Sequence, residues 1–243
     1  NLAFKAALYH ILTMLSLTPI FLALIYGLVM YRFSASRLNK TLDTQSVELM
    51  DPKLQPVISR MAQALDVAKI SVYIYEIEPV NGLAAPDGRI FITRGFYQKY
   101  QNGEVSGDEL SSVIAHELGH VALGHSRRRM IDFSGQNAVR VALGMVLGRL
   151  LPGIGGWLAN IVANLLMAGL SRSDEYEADE YASALLTKAG IGTDSQKSLF
   201  RKLDALTGQT GRMPAWLMSH PKVEDRVAAI EVLDEKWTPK GDQ

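Results

Sequence analysis

Ser111-Ser112-Val113-Ile114-Ala115-His116-Glu117-Leu118-Gly119-His120 places two histidines four positions apart, with a glutamate directly after the first. On an α-helix, positions four apart lie one above the other on the same face. His116 and His120 can therefore aim both imidazoles at one point, which suits a zinc ion bound through nitrogen. The Glu117 carboxylate can then reach a water on the open side of that ion and act as a general base for peptide hydrolysis. With background frequencies of roughly two per cent for His and six for Glu, a chance match in one chain of this size is rare, so the pattern outweighs a helix that merely carries two histidines.

The local sequence supports a helix here. Leu110, Val113, Ile114, Leu118, Val121 and Leu123 recur at three-to-four spacing and mark an apolar face. Ser106 followed three residues later by Glu109 fits a capping box at the start of that run. Gly119, inside the motif, leaves room for another element to approach closely.

The 243 residues suffice for one sizeable domain with an appendage. Lys+Arg and Asp+Glu balance at 25 each, without the basic excess expected of a nucleic-acid binder. The chain has no cysteine, so disulfides and thiolate metal sites are excluded and only His, Asp and Glu remain as protein ligands for a metal.

Residues Ile11 to Tyr31 carry no charged side chain and are rich in Leu, Ile, Phe and Val. That is the length of a membrane-spanning helix, and Tyr9, Tyr26, Tyr31 and Phe33 stand toward its ends, where aromatic rings favour the interface. No small-residue cleavage site follows, so the stretch reads as a retained single-pass anchor within residues 1–33 rather than a signal peptide. Arg32, Arg37 and Lys40 follow it, against Lys5 before it, which places the catalytic part on the cytoplasmic side, at a bacterial inner membrane.

Residues 34–52 read as a polar linker or short helix leading off the membrane, and 53–243 as the catalytic domain. Pro56 to Val67 is expected to be helical. The alternation from Ile70 to Ile77 predicts a strand, Pro86-Asp87-Gly88 a turn, and Arg89 to Thr93 a return strand, together a small antiparallel sheet. Asn81-Gly82-Leu83-Ala84-Ala85 would form its edge, where an extended substrate can add itself by backbone hydrogen bonds; a plain hairpin with no substrate role is the alternative. The run Arg127-Arg128-Arg129 is either simply solvated or faces anionic lipid. Within 138–170, Arg149 and Pro152-Gly153-Ile154-Gly155-Gly156 divide an apolar stretch into two helices, each short for a bilayer. This hairpin, with Gly144 and Gly148 in a small-residue spacing, is expected to face the membrane or cover the cleft.

Two histidines do not complete a catalytic zinc site, which normally has three protein ligands. His125 is one residue out of register for the H-E-x-x-H-x-x-G-x-x-H pattern, whose last position is Ser126 here. The segment Ser171-Arg172-Ser173-Asp174-Glu175-Tyr176-Glu177-Ala178-Asp179 offers carboxylates from a later helix. Periodicity does not choose between Glu175 and Glu177 as the ligand. Glu175 and Asp179 share a face, so that one can bind metal while the other orients a ligand histidine. An acidic helix start is the simpler alternative.

His116-Glu117-Leu118-Gly119-His120 followed by Ser171-Arg172-x-x-Glu175-x-x-Ala178-Asp179 resembles the M48 family of zinc metallopeptidases, the HtpX-, Oma1- and Ste24-like gluzincins. The likeness extends to Asn81-Gly-Leu-Ala-Ala-Pro-Asp-Gly, where Gly82 stands for the usual alanine and Asp87 for a glycine, and to Ser219-His220-Pro221 with Arg226. The resemblance implies an α+β, mostly helical zincin-like domain and one Zn2+ held by His116, His120 and Glu175. Asp179 would lie behind the metal, and Asn81 to Ala85 would bind substrate. His220 would donate to the oxyanion or block the open metal position, and Arg226 would support that loop or contact substrate. The expected function is a membrane-anchored endopeptidase acting on misfolded or membrane proteins. Its partners would be protein or peptide substrate, membrane lipid and a homo-oligomer or membrane-protein partner, with no nucleic acid. The alternative is a non-catalytic zinc-containing scaffold subunit, which would have no need of Glu117.

Overall fold

The computed structural model describes residues 32–85, 87–125, 151–207 and 222–237, with isolated positions at 25–29 and 144–149; side chains at 162–171 and 204–207 are not part of the description. The chain divides into two compact units, residues 1–38 with 127–169 and residues 39–126 with 170–243.

Helix α1 covers 32–44 and leads into strand β1 (Ser46–Glu48). Next come α2 (Gln55–Ala64), β2 (Val72–Tyr75), β3 (Gly82–Ala84), β4 (Ile90–Thr93), α3 (Arg94–Gln101) and α4 (Gly107–Ala122). The later helices are α5 (Gly155–Lys188), α6 (Asp194–Thr207) and α7 (Val223–Trp237). The fold is α+β and mostly helical, as the sequence implies.

The sheet is mixed rather than antiparallel. Its order is β1-β2-β4-β3, with β1 and β3 antiparallel to their neighbours and β2 parallel to β4, Ile74 facing Ile92. The expected return strand does not pair back on β2 as a hairpin would. The chain first passes to the far edge, forms β3, turns, and inserts β4 between β3 and β2. All four residues of Ile90-Phe91-Ile92-Thr93 are buried, the pattern of an inner strand covered on both faces. Segment 34–52 is also more than a linker, because Ser46–Glu48 adds a strand to the sheet.

The metal-motif helix α4 is capped as expected. The Ser106 Oγ accepts from the Glu109 amide at 3.1 Å, and the Glu109 carboxylate accepts from the Ser106 amide at 2.8 Å. Such a cap contributes on the order of 1 kcal/mol. Leu110 and Ile114 sink into a core shared with Leu54 just before α2, Ile58 and Met61 of α2, Ile90 and Ile92 of β4, Phe96 of α3, and Leu199 of α6. Leu123, at the end of the apolar stripe, is exposed, whereas His116, Glu117 and His120 are buried. The motif face of α4 therefore also turns inward.

Helix α5 sets aside the simpler alternative for the acidic segment. Ser171 to Asp179 does not begin a helix; it lies inside a continuous helix of 34 residues, so its carboxylates are not gathered there by a helix start. Ahead of α5 the Leu151 amide bonds the Leu147 carbonyl at 2.7 Å, and the Gly155 amide bonds the Leu151 carbonyl at 2.9 Å; most of the first half of the expected hairpin lies outside the described residues. No helix among the described residues is long and apolar enough to cross a membrane, and most of the Ile11–Tyr31 stretch lies outside them. His220, Pro221 and Arg127 to Arg129 also lie outside.

Candidate active site

Gly119 determines how closely α5 approaches α4. A Cβ at this position would stand 3.0 Å from both the Cα and the carbonyl oxygen of Ala178, too near for backbone atoms that a helix holds rigidly. With hydrogen in place of a side chain, the Glu175–Asp179 turn of α5 lies directly against the His116–His120 turn of α4.

His116, His120 and Glu175 converge there, all buried. The Nε2 atoms of the two histidines are 3.1 Å apart. Glu175 Oε2 is 3.4 Å from His116 Nε2, and Oε1 is 3.5 Å from His120 Nε2. Tetrahedral ligands at zinc bond lengths of about 2.0–2.2 Å stand roughly 3.3–3.5 Å from one another, so the three groups fit one zinc ion. Glu177, the other candidate, faces away: its Oε2 meets His125 Nε2 at 3.2 Å.

Behind His116 stands Asp179, whose Oδ1 is 2.9 Å from Nδ1. An Nδ1–H donating to this carboxylate leaves the Nε2 lone pair for the metal, and it fixes the ring plane. Asp179 is held in turn by Arg226 of α7, which donates from Nε to Oδ2 and from Nη2 to Oδ1, both at 2.6 Å. The same Nη2 passes 3.3 Å from His116 Nδ1 but is committed to Asp179. Arg226 is fully buried, and its guanidinium lies 4.1 Å from the Phe200 ring centroid. Arg226 therefore holds Asp179 in place from α7. Phe200 is a residue that sequence reasoning missed, since nothing near it in the chain signals the stacking.

The electrostatics favour a cation at the imidazole pair. Burial alone would lower the pKa of His116, but the Asp179 and Glu175 carboxylates outweigh it and push it up to about 9. Burial acts to raise Asp179, and Arg226 and His116 overcome it and hold that carboxyl below its ordinary value. Positive charge at His116 is thus stabilised, and a divalent ion bound there would be stabilised by the same carboxylates.

The edge strand lies against the same helix. A Cβ at Gly82 would come within 2.9 Å of Glu117 Oε1 and 2.7 Å of Val113 Cγ1, so the β3 backbone passes close beside the general-base candidate. A small cavity next to it is lined by Asn81, Val113, His116, Glu117 and Arg226, with apolar walls from Phe96, Phe200 and Leu203.

A buried His-His-Glu centre on two helices, with a glutamate next to the first histidine and the outermost described strand of the sheet alongside, defines a zincin-type metallopeptidase. Residues 48–234 match the model of peptidase family M48, and the chain belongs to that family. It is a zinc metalloendopeptidase. The metalloprotease LoiP of Escherichia coli is 31% identical over 207 residues, spanning 79% of this chain and 78% of the relative. The mitochondrial metalloendopeptidase OMA1 of Schizosaccharomyces pombe is 30% identical over 161 residues, 66% of this chain and 44% of its own. A protease HtpX homolog of Leptothrix cholodnii is 27% identical over 222 residues, 76% of this chain and 73% of the relative.

Proposed function

We propose that this chain is a membrane-anchored endopeptidase that cuts extended segments of misfolded or membrane proteins, with His116, His120 and Glu175 as zinc ligands and Glu117 as general base. The convergence of those three side chains beside Glu117 and the β3 edge carries this reading. A zinc ion bound there would act as a Lewis acid and lower the pKa of a water toward about 7.

Glu117 takes the proton of the attacking water on a carboxylate oxygen and delivers it to the leaving amine. Asp179 keeps the His116 proton on Nδ1, and Arg226 keeps Asp179 in place. A substrate strand laid along Asn81, Gly82, Leu83, Ala84 and Ala85 would hydrogen-bond the outer edge of β3, which has no further strand beyond it among the described residues. That pairing reads backbone rather than side chains, which suits unfolded substrates. His220, in a His-Pro pair preceding α7, donates to the oxyanion; removing such a donor costs about 3 kcal/mol, or roughly a hundredfold in rate.

Membrane attachment has the support of the uncharged Ile11–Tyr31 stretch, whose length and composition suit a bilayer span. The catalytic unit is assigned to the cytoplasmic side.

The test is a Glu117→Gln protein in detergent or vesicles. It is expected to keep its zinc and to lose digestion of an unfolded substrate such as casein by a thousandfold or thereabouts, within the range assigned to a general base. A variant that digests as fast as the parent refutes the assignment of Glu117.

A further inference from the structure

His125 lies five residues beyond His120 and is completely buried. Its Nδ1 is 3.0 Å from His120 Nδ1. Its other nitrogen, Nε2, is 3.2 Å from Glu177 Oε2 and 3.6 Å from Asp174 Oδ1. His125, Asp174 and Glu177 thus stand close enough together to pass for a second set of metal ligands.

The placement of protons argues otherwise. A histidine that binds zinc through Nε2 offers its lone pair there and carries its proton on Nδ1. For His120, that Nδ1–H points at His125 Nδ1, which must then be the acceptor. A neutral His125 accepting at Nδ1 carries its own proton on Nε2, aimed at the two carboxylates. In that tautomer Nε2 offers no lone pair to a cation, and the same contacts make a directed hydrogen-bond chain.

We propose that His125 is a positioning residue for His120: it accepts the His120 Nδ1–H and so turns His120 Nε2 toward the metal, while Glu177 and Asp174 hold His125 in the tautomer that can accept. This rests on the ligand set proposed above. Each ligand histidine then has its own support. His116 is backed by an anion, Asp179, clamped from α7; His120 is backed by a neutral ring supplied from just past the end of its own helix, and that ring is fastened to α5. The chain His120–His125–Glu177 ends at a half-exposed carboxylate, whose Oε1 also accepts from Ser173 Oγ at 3.1 Å. Because Glu175 and Glu177 are on the same helix, α5 supplies the third ligand and also the anchor of the second. The short loop after α4 is thereby part of the metal centre, although it donates no ligand to it.

The first test is the tautomer. In the zinc-loaded protein with 15N-labelled histidine, His125 is expected as a neutral ring protonated on Nε2; a ring protonated on Nδ1 overturns the proposal. The second test is a pair of substitutions. Asn carries Oδ1 on Cγ, where histidine carries Nδ1, so His125→Asn keeps an acceptor for His120, whereas His125→Leu fills the space without one. Zinc affinity, measured by competition with a chelator, is expected to fall about 10–100-fold in His125→Leu and to stay within about threefold of the parent in His125→Asn. The visible spectrum of the cobalt-substituted protein should change in the first and not in the second. Unchanged affinity in His125→Leu, or an equal loss in both variants, overturns the role. Should His125→Leu fail to fold, the tautomer and the His125→Asn affinity still decide. A second bound zinc that disappears in His125→Asn but survives in His120→Ala overturns the proposal in favour of a second metal centre. A His120→Ala protein with the parent's full zinc affinity would instead refute the ligand set itself.

Discussion

Arg226 and Asp179 form a fully buried pair with two hydrogen bonds of 2.6 Å, and the same carboxylate receives the His116 Nδ1–H at 2.9 Å. Removing one partner of such a pair leaves the other charge stranded, at a cost of about 3–5 kcal/mol. Arg226→Met should therefore lower the melting temperature markedly and weaken zinc binding by about 10–100-fold through the loosened Asp179. Arg226→Lys restores a charge but not the fork that matches a carboxylate, so its zinc affinity should fall between Met and the parent. Calorimetry and chelator competition on both variants check this; a Met variant with parental zinc affinity would show that Asp179 needs no clamp.

Gly82 separates the chemistry from the metal. Its missing Cβ allows β3 to run against Glu117 and Val113. Gly82→Val must push the Glu117 carboxylate aside or lift the strand, and displacement of a catalytic group by about 1 Å can cost a hundredfold in rate. The expected outcome is a fall in kcat of about ten- to a hundredfold, with zinc content unchanged. A parallel loss of zinc would mean that the strand supports the ligands rather than the base.

Glu109 joins the start of α4 to α6. Its carboxylate accepts from the Ser106 amide and from Ser198 Oγ at 2.6 Å, and it pairs with Lys202 Nζ at 2.7 Å. Burial works to raise its pKa, but Lys202, the Ser106 amide and Ser198 hold it below the ordinary value of 4.5. A carboxyl depressed by folding contributes stability above its unfolded pKa, and this is lost as pH falls through the folded value. The destabilising effect of Glu109→Gln, on the order of 1–2 kcal/mol at pH 7, should therefore shrink below pH 4. Urea denaturation at both pH values measures it; an effect that is constant with pH would refute the charged role of Glu109.

A zinc ion held by His116 and His120 of α4 and Glu175 of α5 would tie the two helices together, so removing it should loosen their contact. A ligand present at a thousandfold over its Kd stabilises by about 4 kcal/mol. Treatment with a chelator is expected to abolish peptidase activity and to lower the melting temperature by roughly 10 °C at the few degrees per kcal/mol usual for domains of this size. One equivalent of zinc should restore both. A metal-free protein that melts with the parent would mean that the ligands are held in place without the ion.

Chain-local features could be read before folding was known. The i, i+4 histidines with Glu117, the Ser106–Glu109 cap and the alternating β2 residues depend on contacts only a few positions apart, and periodicity records these directly. The choice between Glu175 and Glu177 was not of that kind. Both lie on α5, two residues apart, and which one meets the imidazoles depends on how α5 is rotated against α4 at Gly119. Sheet topology escaped for a similar reason: β2 and β4 look alike whether they pair parallel or antiparallel, and only the position of β3 on the far edge decides.

By itself, then, the sequence determined the reaction class of this protein, because the residue types and spacing that a zinc peptidase needs are compressed into single helical turns. Periodicity left Glu175 and Glu177 open and the family resemblance named Glu175; only the tertiary structure showed Arg226 paired with Asp179, Phe200 against Arg226, and His125 Nδ1 within 3.0 Å of His120 Nδ1. Arg226 is 47 positions from Asp179 and 26 from Phe200, and His125, only five from His120, is fastened to Glu177, 52 positions further on; these approaches are governed by the packing of buried faces, and no short-range pattern encodes the angle at which two such faces meet.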